Sequence, residues 1–136
     1  MSQYGATVLR LFLGVTFVMH AYLALVIYTP AGAAAFNAKM GIPLPEVAAW
    51  FTILAHGLGG LMMILGLWTR WAALANLPVM LGALVFVHLS QGYFLKGVLV
   101  GSAPQAAGYE YVLLIVGATL AQVLLGGGAL AITRRS

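Results

Sequence analysis

Long apolar runs alternate with short polar segments along the whole chain. Four of these runs, at about residues 5–28, 46–67, 71–90 and 109–132, hold the roughly 20 apolar residues that a helix needs to cross a bilayer. Only the short segment 67–71 separates the second run from the third, so these two must form an antiparallel hairpin. The pattern predicts an all-α, polytopic membrane protein, a bundle of four transmembrane helices that forms a single domain over residues 1–136.

The two longer connections have different characters. Thr29-Pro30 ends the first run, because proline biases the residue before it away from helix. Residues 31–40 then predict a short interfacial helix. Residues 91–108 predict a loop, rich in Gly, Ser, Ala and Gln towards its end.

Small residues predict where helices approach each other closely. Ala55 and Gly59 are four residues apart in the second run, a spacing that lets a neighbouring helix pack closely. A similar row on the fourth run predicts a narrow face directed into the bundle: Glu110, Gly117, Ala121 and Gly128.

Composition supports a membrane protein and excludes several other classes. The chain is 63% hydrophobic and 6% charged, whereas a soluble domain carries about 25% charged residues. The net charge is +4, but the bases are scattered, so no basic cluster exists for nucleic acid. The absence of cysteine excludes thiolate metal ligands, iron–sulfur clusters and dithiol chemistry carried by the chain itself.

The bases predict the orientation in the membrane. Arg10, Arg70, Arg134 and Arg135 fall on one side of the predicted bundle, and Lys39 and Lys96 fall on the other. The positive-inside rule then places both termini in the cytoplasm.

Each of the first three runs contains one histidine. Counted at 1.5 Å per residue, His20 and His88 lie about 22 Å and 25 Å from the cytoplasmic starts of their helices, and His56 lies about 15 Å from the outer start of its own. Glu110 and Tyr111 begin the fourth helix at the outer side. These five residues predict a shared site in the outer half of the bundle, since intramembrane polar groups usually face the interior.

A structural interpretation stands beside this one. A histidine in a membrane helix can simply donate one hydrogen bond to a carbonyl. Glu110 suits the positive end of a helix dipole. Arg10, one to two turns inside the first helix, either extends to the cytoplasmic surface or pairs with an acceptor inside the bundle.

Several short segments occur in an order and spacing that resemble the DoxX family of small bacterial inner-membrane proteins. The matching segments are Arg-Leu-Phe-Leu-Gly at 10–14, Met-His at 19–20, Lys-Met-Gly-Ile-Pro at 39–43, the stretch 59–70, Pro-Val-Met at 78–80, His88, and Gly-Tyr-Glu-Tyr at 108–111. The resemblance implies a four-helix bundle in the bacterial inner membrane. It also implies an association with redox enzymes: the family takes its name from subunits of a thiosulfate:quinone oxidoreductase, and relatives occur with sulfur, oxidative-stress and metal-handling systems.

The chain departs from this family at one position. Many members carry Glu in the second helix where this chain has His56. A carboxylate there would balance the charge of Arg10, so with His56 the arginine needs another acceptor.

Three functions are compatible with these residues. The first is a membrane subunit of an oxidoreductase system, non-catalytic alone, that binds a quinone through His20, His56, His88, Glu110, Tyr111 and Arg10. The second is a structural or assembly subunit of a larger complex. The third is a site in which His20, His56 and His88 hold a metal such as copper, or His20 and His88 hold a haem. The predicted partners are the lipid bilayer and either other protein subunits or further copies of the chain.

Overall fold

A computed structural model describes residues 2–95 and 108–133, and its regular elements there are all helical. Most of the predicted loop 91–108, including Lys96, lies outside the described residues, as do Arg134 and Arg135. The α-helices are α1 (Ser2–Tyr22), α2 (Thr29–Lys39), α3 (Pro45–Leu65), α4 (Thr69–Gly82) and α5 (Glu110–Leu125).

Two of the α-helices continue as segments of another helix type. A π-helical segment, Leu23–Ile27, extends α1, and the π-helical segment Ala83–His88 with the 3₁₀ turn Leu89–Gln91 extends α4. With these extensions three helices are long and apolar enough to cross a membrane: Gln3–Ile27, Pro45–Leu65 and Thr69–Gln91. The apolar helix α5 has 16 residues, about 24 Å, which is shorter than the roughly 30 Å hydrocarbon core.

The short helix predicted at residues 31–40 is present as α2. It begins at Thr29, which has a left-handed φ of 64°, and it packs against α3. The chain therefore turns sharply after the extension of α1, as the Thr29-Pro30 pair predicted.

The last helix ends seven residues before the end of the predicted 109–132. It ends at Leu125 because Gly126 (φ 76°) and Gly128 (φ 78°) adopt backbone conformations that L side chains rarely reach. Residues 126–133 then fold back across the end of the bundle instead of continuing outward.

The helices are neighbours in the cyclic order α1, α3, α4, α5, with α5 again beside α1. At the crossing of α1 and α3, a Cβ added to Gly14 would lie 2.8 Å from the carbonyl oxygen of Gly60, and one added to Gly60 would lie 2.9 Å from that of Gly14. The two backbones touch, so this crossing sets the register of α1 against α3.

The fourth-helix face predicted from small residues is not the buried one. Gly117 is exposed, and nothing lies within 4 Å of a Cβ built on it. The buried residues of α5 are Val112, Thr119 and Gln122. Residue size misled the prediction, because in α5 the polar side chains face the bundle while the glycine faces outward.

Polar side chains are concentrated inside the bundle and large apolar ones outside it. The buried polar residues are Thr7, Arg10, His56, Thr69, Asn76, Thr119 and Gln122. Phe12 and Leu124 are 73% and 71% exposed. This distribution suits a lipid environment, in which polar groups must find partners within the protein.

One end of the bundle, which we call the Arg10 end, comprises the start of α1, the α3–α4 turn and residues 126–133. Arg10 holds these segments together. Its guanidinium donates to the carbonyl oxygens of Met63 and Ile64 at 2.7 and 2.5 Å, and to those of Gly127 and Leu130 at 2.8 Å each. Met63 and Ile64 lie in the last turn of α3, where the helix dipole favours a cation, and Met63 O also accepts from Gly66 N at 3.1 Å. Arg10 pairs inside the bundle, which settles the two possibilities that the sequence left open.

Gly66 makes this contact possible. It has φ 71° and ends α3, with Leu67 N donating to Met62 O at 2.8 Å. A Cβ on Gly66 would lie 3.0 Å from Cζ of Arg10 and 2.6 Å from Cα of Ala131. Ala129 N also donates to Gln3 O, so the returning C-terminal segment is held against α1 as well as α3.

Replacing Arg10 with Met should lower the free energy of unfolding by about 3 kcal/mol. The substitution removes the four buried charge-assisted hydrogen bonds, each worth about 1.5–3 kcal/mol, while the new apolar side chain recovers part of that loss. The measurement is reversible unfolding in mixed micelles. Arg70→Met is the matched control, since Arg70 is exposed and makes one hydrogen bond of 3.3 Å to Leu124 O; it should change stability by no more than about 0.5 kcal/mol. Equal effects of the two substitutions would contradict the role assigned to Arg10.

Candidate functional site

Three helices bring polar and aromatic side chains together around His56, in the middle of α3. His56 is 4% exposed. Its ring stacks on Phe17 of α1, with centroids 4.8 Å apart and planes inclined by 21°. Nδ1 of His56 lies 2.6 Å from Oδ1 of Asn76 in α4, which is itself fully buried.

The orientation of Asn76 is set by its own helix. Nδ2 of Asn76 donates to the carbonyl oxygen of Ala72 at 2.8 Å, and this leaves Oδ1 directed at His56. Gly59 provides the space, because a Cβ there would lie 2.6 Å from Nδ2 of Asn76. The close approach predicted for this face of the helix is confirmed at Gly59, where it admits the side chain of Asn76.

His20 adds a second imidazole to this cluster. Its ring centroid lies 6.2 Å from that of His56, with planes at 84°. Nδ1 of His20 lies 2.9 Å from the carbonyl oxygen of Thr16, one turn earlier in α1. Since His20 is exposed and His56 is buried, the two rings extend from the surface of the bundle into its interior. We call His20, His56, Phe17 and Asn76 the imidazole cluster.

His88 lies further along α4 and its extension than Asn76, the member of this cluster on that helix. It is half-buried at the end of the π-helical extension of α4, twelve residues and up to about 18 Å along the helix from Asn76. His20, in contrast, lies one turn from Phe17. The matched depth of His20 and His88, on which the haem hypothesis depended, stays a prediction.

Within residues 2–95 and 108–133, no three His, Asp or Glu side chains form a group that could hold a metal ion. The placement of His20, His56 and His88 thus gives no support to the predicted three-histidine metal site. The structure brings two of the three histidines together.

Glu110 joins the two ends of the connection between the extension of α4 and α5. Oε1 of Glu110 accepts a hydrogen bond from Leu95 N at 2.9 Å, and Glu110 N donates to Tyr93 O at 2.9 Å. Gly108 packs so closely on Phe94 that a Cβ would collide with its carbonyl. Tyr111 is 42% exposed. In this region Glu110 joins the segment after α4 to the start of α5.

Arg10 lies away from the imidazole cluster. It precedes Phe17 by seven residues in α1, and the carbonyl of Met63 that it contacts is seven residues beyond His56 in α3, each about 10 Å along the helix. Backbone carbonyls are therefore the other acceptors that Arg10 needs when position 56 carries no carboxylate. The balance of Arg10 does not depend on the residue at position 56.

Two members of the cluster were not assigned to the site by the sequence. Asn76 had a usable signal, since an amide inside an apolar run must find a partner. Phe17 had none, because it resembles every other apolar residue of α1. The pairing of Asn76 with His56 depends on how α3 and α4 are rotated against each other, which the spacing of residues does not specify.

The comparisons with known proteins agree with this architecture. The DoxX family model matches residues 5–89, which is more than half of the chain and includes most of α1, all of α2 to α4 and the whole imidazole cluster. Neither the curated proteins nor the solved structures give a significant match. With its apolar helices and this match, the chain belongs to the DoxX family of membrane proteins.

Proposed function

We propose that this chain is an integral membrane subunit of an oxidoreductase system, not catalytic by itself, and that the imidazole cluster binds the headgroup of a membrane quinone. The single observation that carries the proposal is the contact between two imidazoles, one buried and one exposed, in a largely apolar surrounding. An ionisable side chain within a membrane span is a functional candidate by default, because burying it is costly. His56 is 4% exposed, and His20 lies next to it.

The cluster has the chemistry of a small-ligand site. Such sites are mostly apolar with a few well-placed polar groups, and aromatic rings commonly form their walls. Phe17 supports the face of the His56 ring, and Asn76 fixes its orientation. Imidazole nitrogens that are not used by Thr16 and Asn76 remain to hydrogen-bond the oxygens of a ligand.

The position of His20 favours a ligand that arrives through the bilayer. His20 is exposed on the outer surface of α1, and Met19 beside it is 58% exposed. A quinone is dissolved among lipid tails, so its ring would meet His20 first and His56 behind it. In this proposal α5 is the fourth membrane span, and other subunits or further copies of the chain cover part of the outer surface.

We also propose that the protein lies in the bacterial inner membrane with the Arg10 end in the cytoplasm. Arg10 and Arg70 both lie at that end, and the backbone of Thr133 donates to Gly66 there, so the C-terminal segment returns to the same side as the start of α1. This agrees with the positive-inside rule.

The orientation can be tested with single cysteines, because the chain has none of its own. Gln3 and Ser90 are exposed at opposite ends of the bundle. A membrane-impermeant maleimide added to spheroplasts with the inner membrane intact should label Ser90→Cys and spare Gln3→Cys. The reverse pattern would overturn the orientation.

Quinone binding can be tested by organic extraction of protein purified in a mild detergent. The wild-type protein should carry a quinone or quinol at close to one molecule per binding site, and His56→Leu should carry at least about tenfold less, since it removes a buried polar group that orients the ligand. His88→Phe is the matched control, because His88 lies outside the imidazole cluster and its substitution should leave the bound quinone unchanged.

The accessory-subunit interpretation makes the opposite prediction in the same experiment. It is favoured by one observation: the chain itself supplies a hydrogen-bond partner to Nδ1 of both His20 and His56. If correctly folded wild-type protein binds no quinone in detergent or in lipid nanodiscs, the histidines are internal hydrogen bonders and the quinone proposal fails.

A further inference from the structure

The hydrogen-bond network defines which nitrogen of each imidazole carries the proton. Nδ2 of Asn76 donates to Ala72 O, so the atom facing His56 is the amide oxygen Oδ1, at 2.6 Å from Nδ1. An amide oxygen only accepts, so Nδ1 of His56 must be the donor. A buried charge without a counter-ion is costly, and the side chain that His56 bonds is a neutral amide. The neutral ring therefore carries its proton on Nδ1 and a lone pair on Nε2.

The same reasoning applies to His20. Its Nδ1 lies 2.9 Å from Thr16 O, and a backbone carbonyl only accepts, so Nδ1 donates. In the neutral ring Nε2 is again an acceptor. The two neighbouring rings thus use their donors within the protein and offer a ligand two acceptors.

This arrangement discriminates between the two redox forms of a quinone. The oxidised form has carbonyl oxygens and no donor, so it cannot hydrogen-bond to a lone pair on Nε2. The reduced form has two hydroxyl groups on the ring, each of which can donate to such a nitrogen. Hydrogen-bond acceptors left without a donor in an apolar site carry a desolvation cost, which only the reduced form relieves.

We propose that the imidazole cluster selects the reduced, dihydroxy form of an aromatic redox carrier, with the Nε2 atoms of His20 and His56 as acceptors for its hydroxyl groups. This rests on the proposed function and adds the form of the ligand and the direction of its hydrogen bonds. Preferential binding of the reduced form would also raise the midpoint potential of the bound couple, by about 30 mV for each tenfold difference in affinity.

The test compares three probes on the full-length protein in lipid nanodiscs under anaerobic conditions. They are a short-chain benzoquinone, its hydroquinone, and the dimethyl ether of that hydroquinone, which keeps the aromatic ring but has no O–H donor. The hydroquinone should bind about tenfold more tightly than either of the others, the effect of satisfying a buried acceptor. This comparison needs no substitution, so it does not depend on a variant that folds.

A substitution then assigns the acceptor. His20→Phe keeps a ring in place but removes Nε2, and it should reduce the preference for the hydroquinone over its dimethyl ether by about fivefold or more. His88→Phe, outside the cluster, should leave the preference unchanged.

The outcomes distinguish the hydrogen-bond direction from the proposed function. If the three probes bind with equal affinity, or the benzoquinone binds most tightly, the assigned hydrogen-bond direction is wrong while quinone binding stands. If none of the probes binds, the proposed function fails and the selection of the reduced form fails with it.

Discussion

A polar group inside this bundle is stabilised by a partner within the protein, because the hydrocarbon core of a bilayer offers no water to hydrogen-bond it. Arg10 meets this constraint with four backbone carbonyls from α3 and the C-terminal segment. His56 meets it with one side chain, Asn76. Among the described residues, Thr69 Oγ1 and Gln122 Oε1 are buried without a partner. The architecture follows from these pairings, since they hold the ends and the middle of neighbouring helices in register.

Arg10 and the imidazole cluster are the two main polar centres. They differ in whether any of their nitrogens is left without a hydrogen-bond partner in the chain. All three nitrogens of the Arg10 guanidinium donate to carbonyls of the chain, and the group is 2% exposed, so it acts as a structural tie. His56 and His20 each commit one ring nitrogen to the chain and keep the other. The imidazole cluster therefore combines buried polarity, an aromatic wall and uncommitted hydrogen-bonding capacity. That combination is the reason for placing the ligand there and not beside Arg10.

Hydrophobic periodicity was sufficient to predict the long helices, the short helix α2 and the presence of polar groups within the apolar helices. The same periodicity was not sufficient to predict which of these polar groups pair with each other. Counting residues gives the position of His88 along its helix, but not the fact that α4 presents Asn76 to His56. The acceptors of Arg10 are backbone atoms, which a sequence pattern does not distinguish from any others. The end of α5 depends on the backbone conformation of Gly126 and Gly128. Glycine also occurs within membrane helices, so the identity of these two residues alone was compatible with a helix that continues.

The central claim is that Asn76 holds His56 as a neutral imidazole with its proton on Nδ1. Nitrogen-15 NMR of histidine-labelled protein in nanodiscs measures this directly, because protonated and unprotonated ring nitrogens have distinct chemical shifts. The account predicts one protonated nitrogen in His56, assigned to Nδ1, and loss of that fixed tautomer in Asn76→Leu. A proton on Nε2 in the wild-type protein, or on both nitrogens, would contradict it.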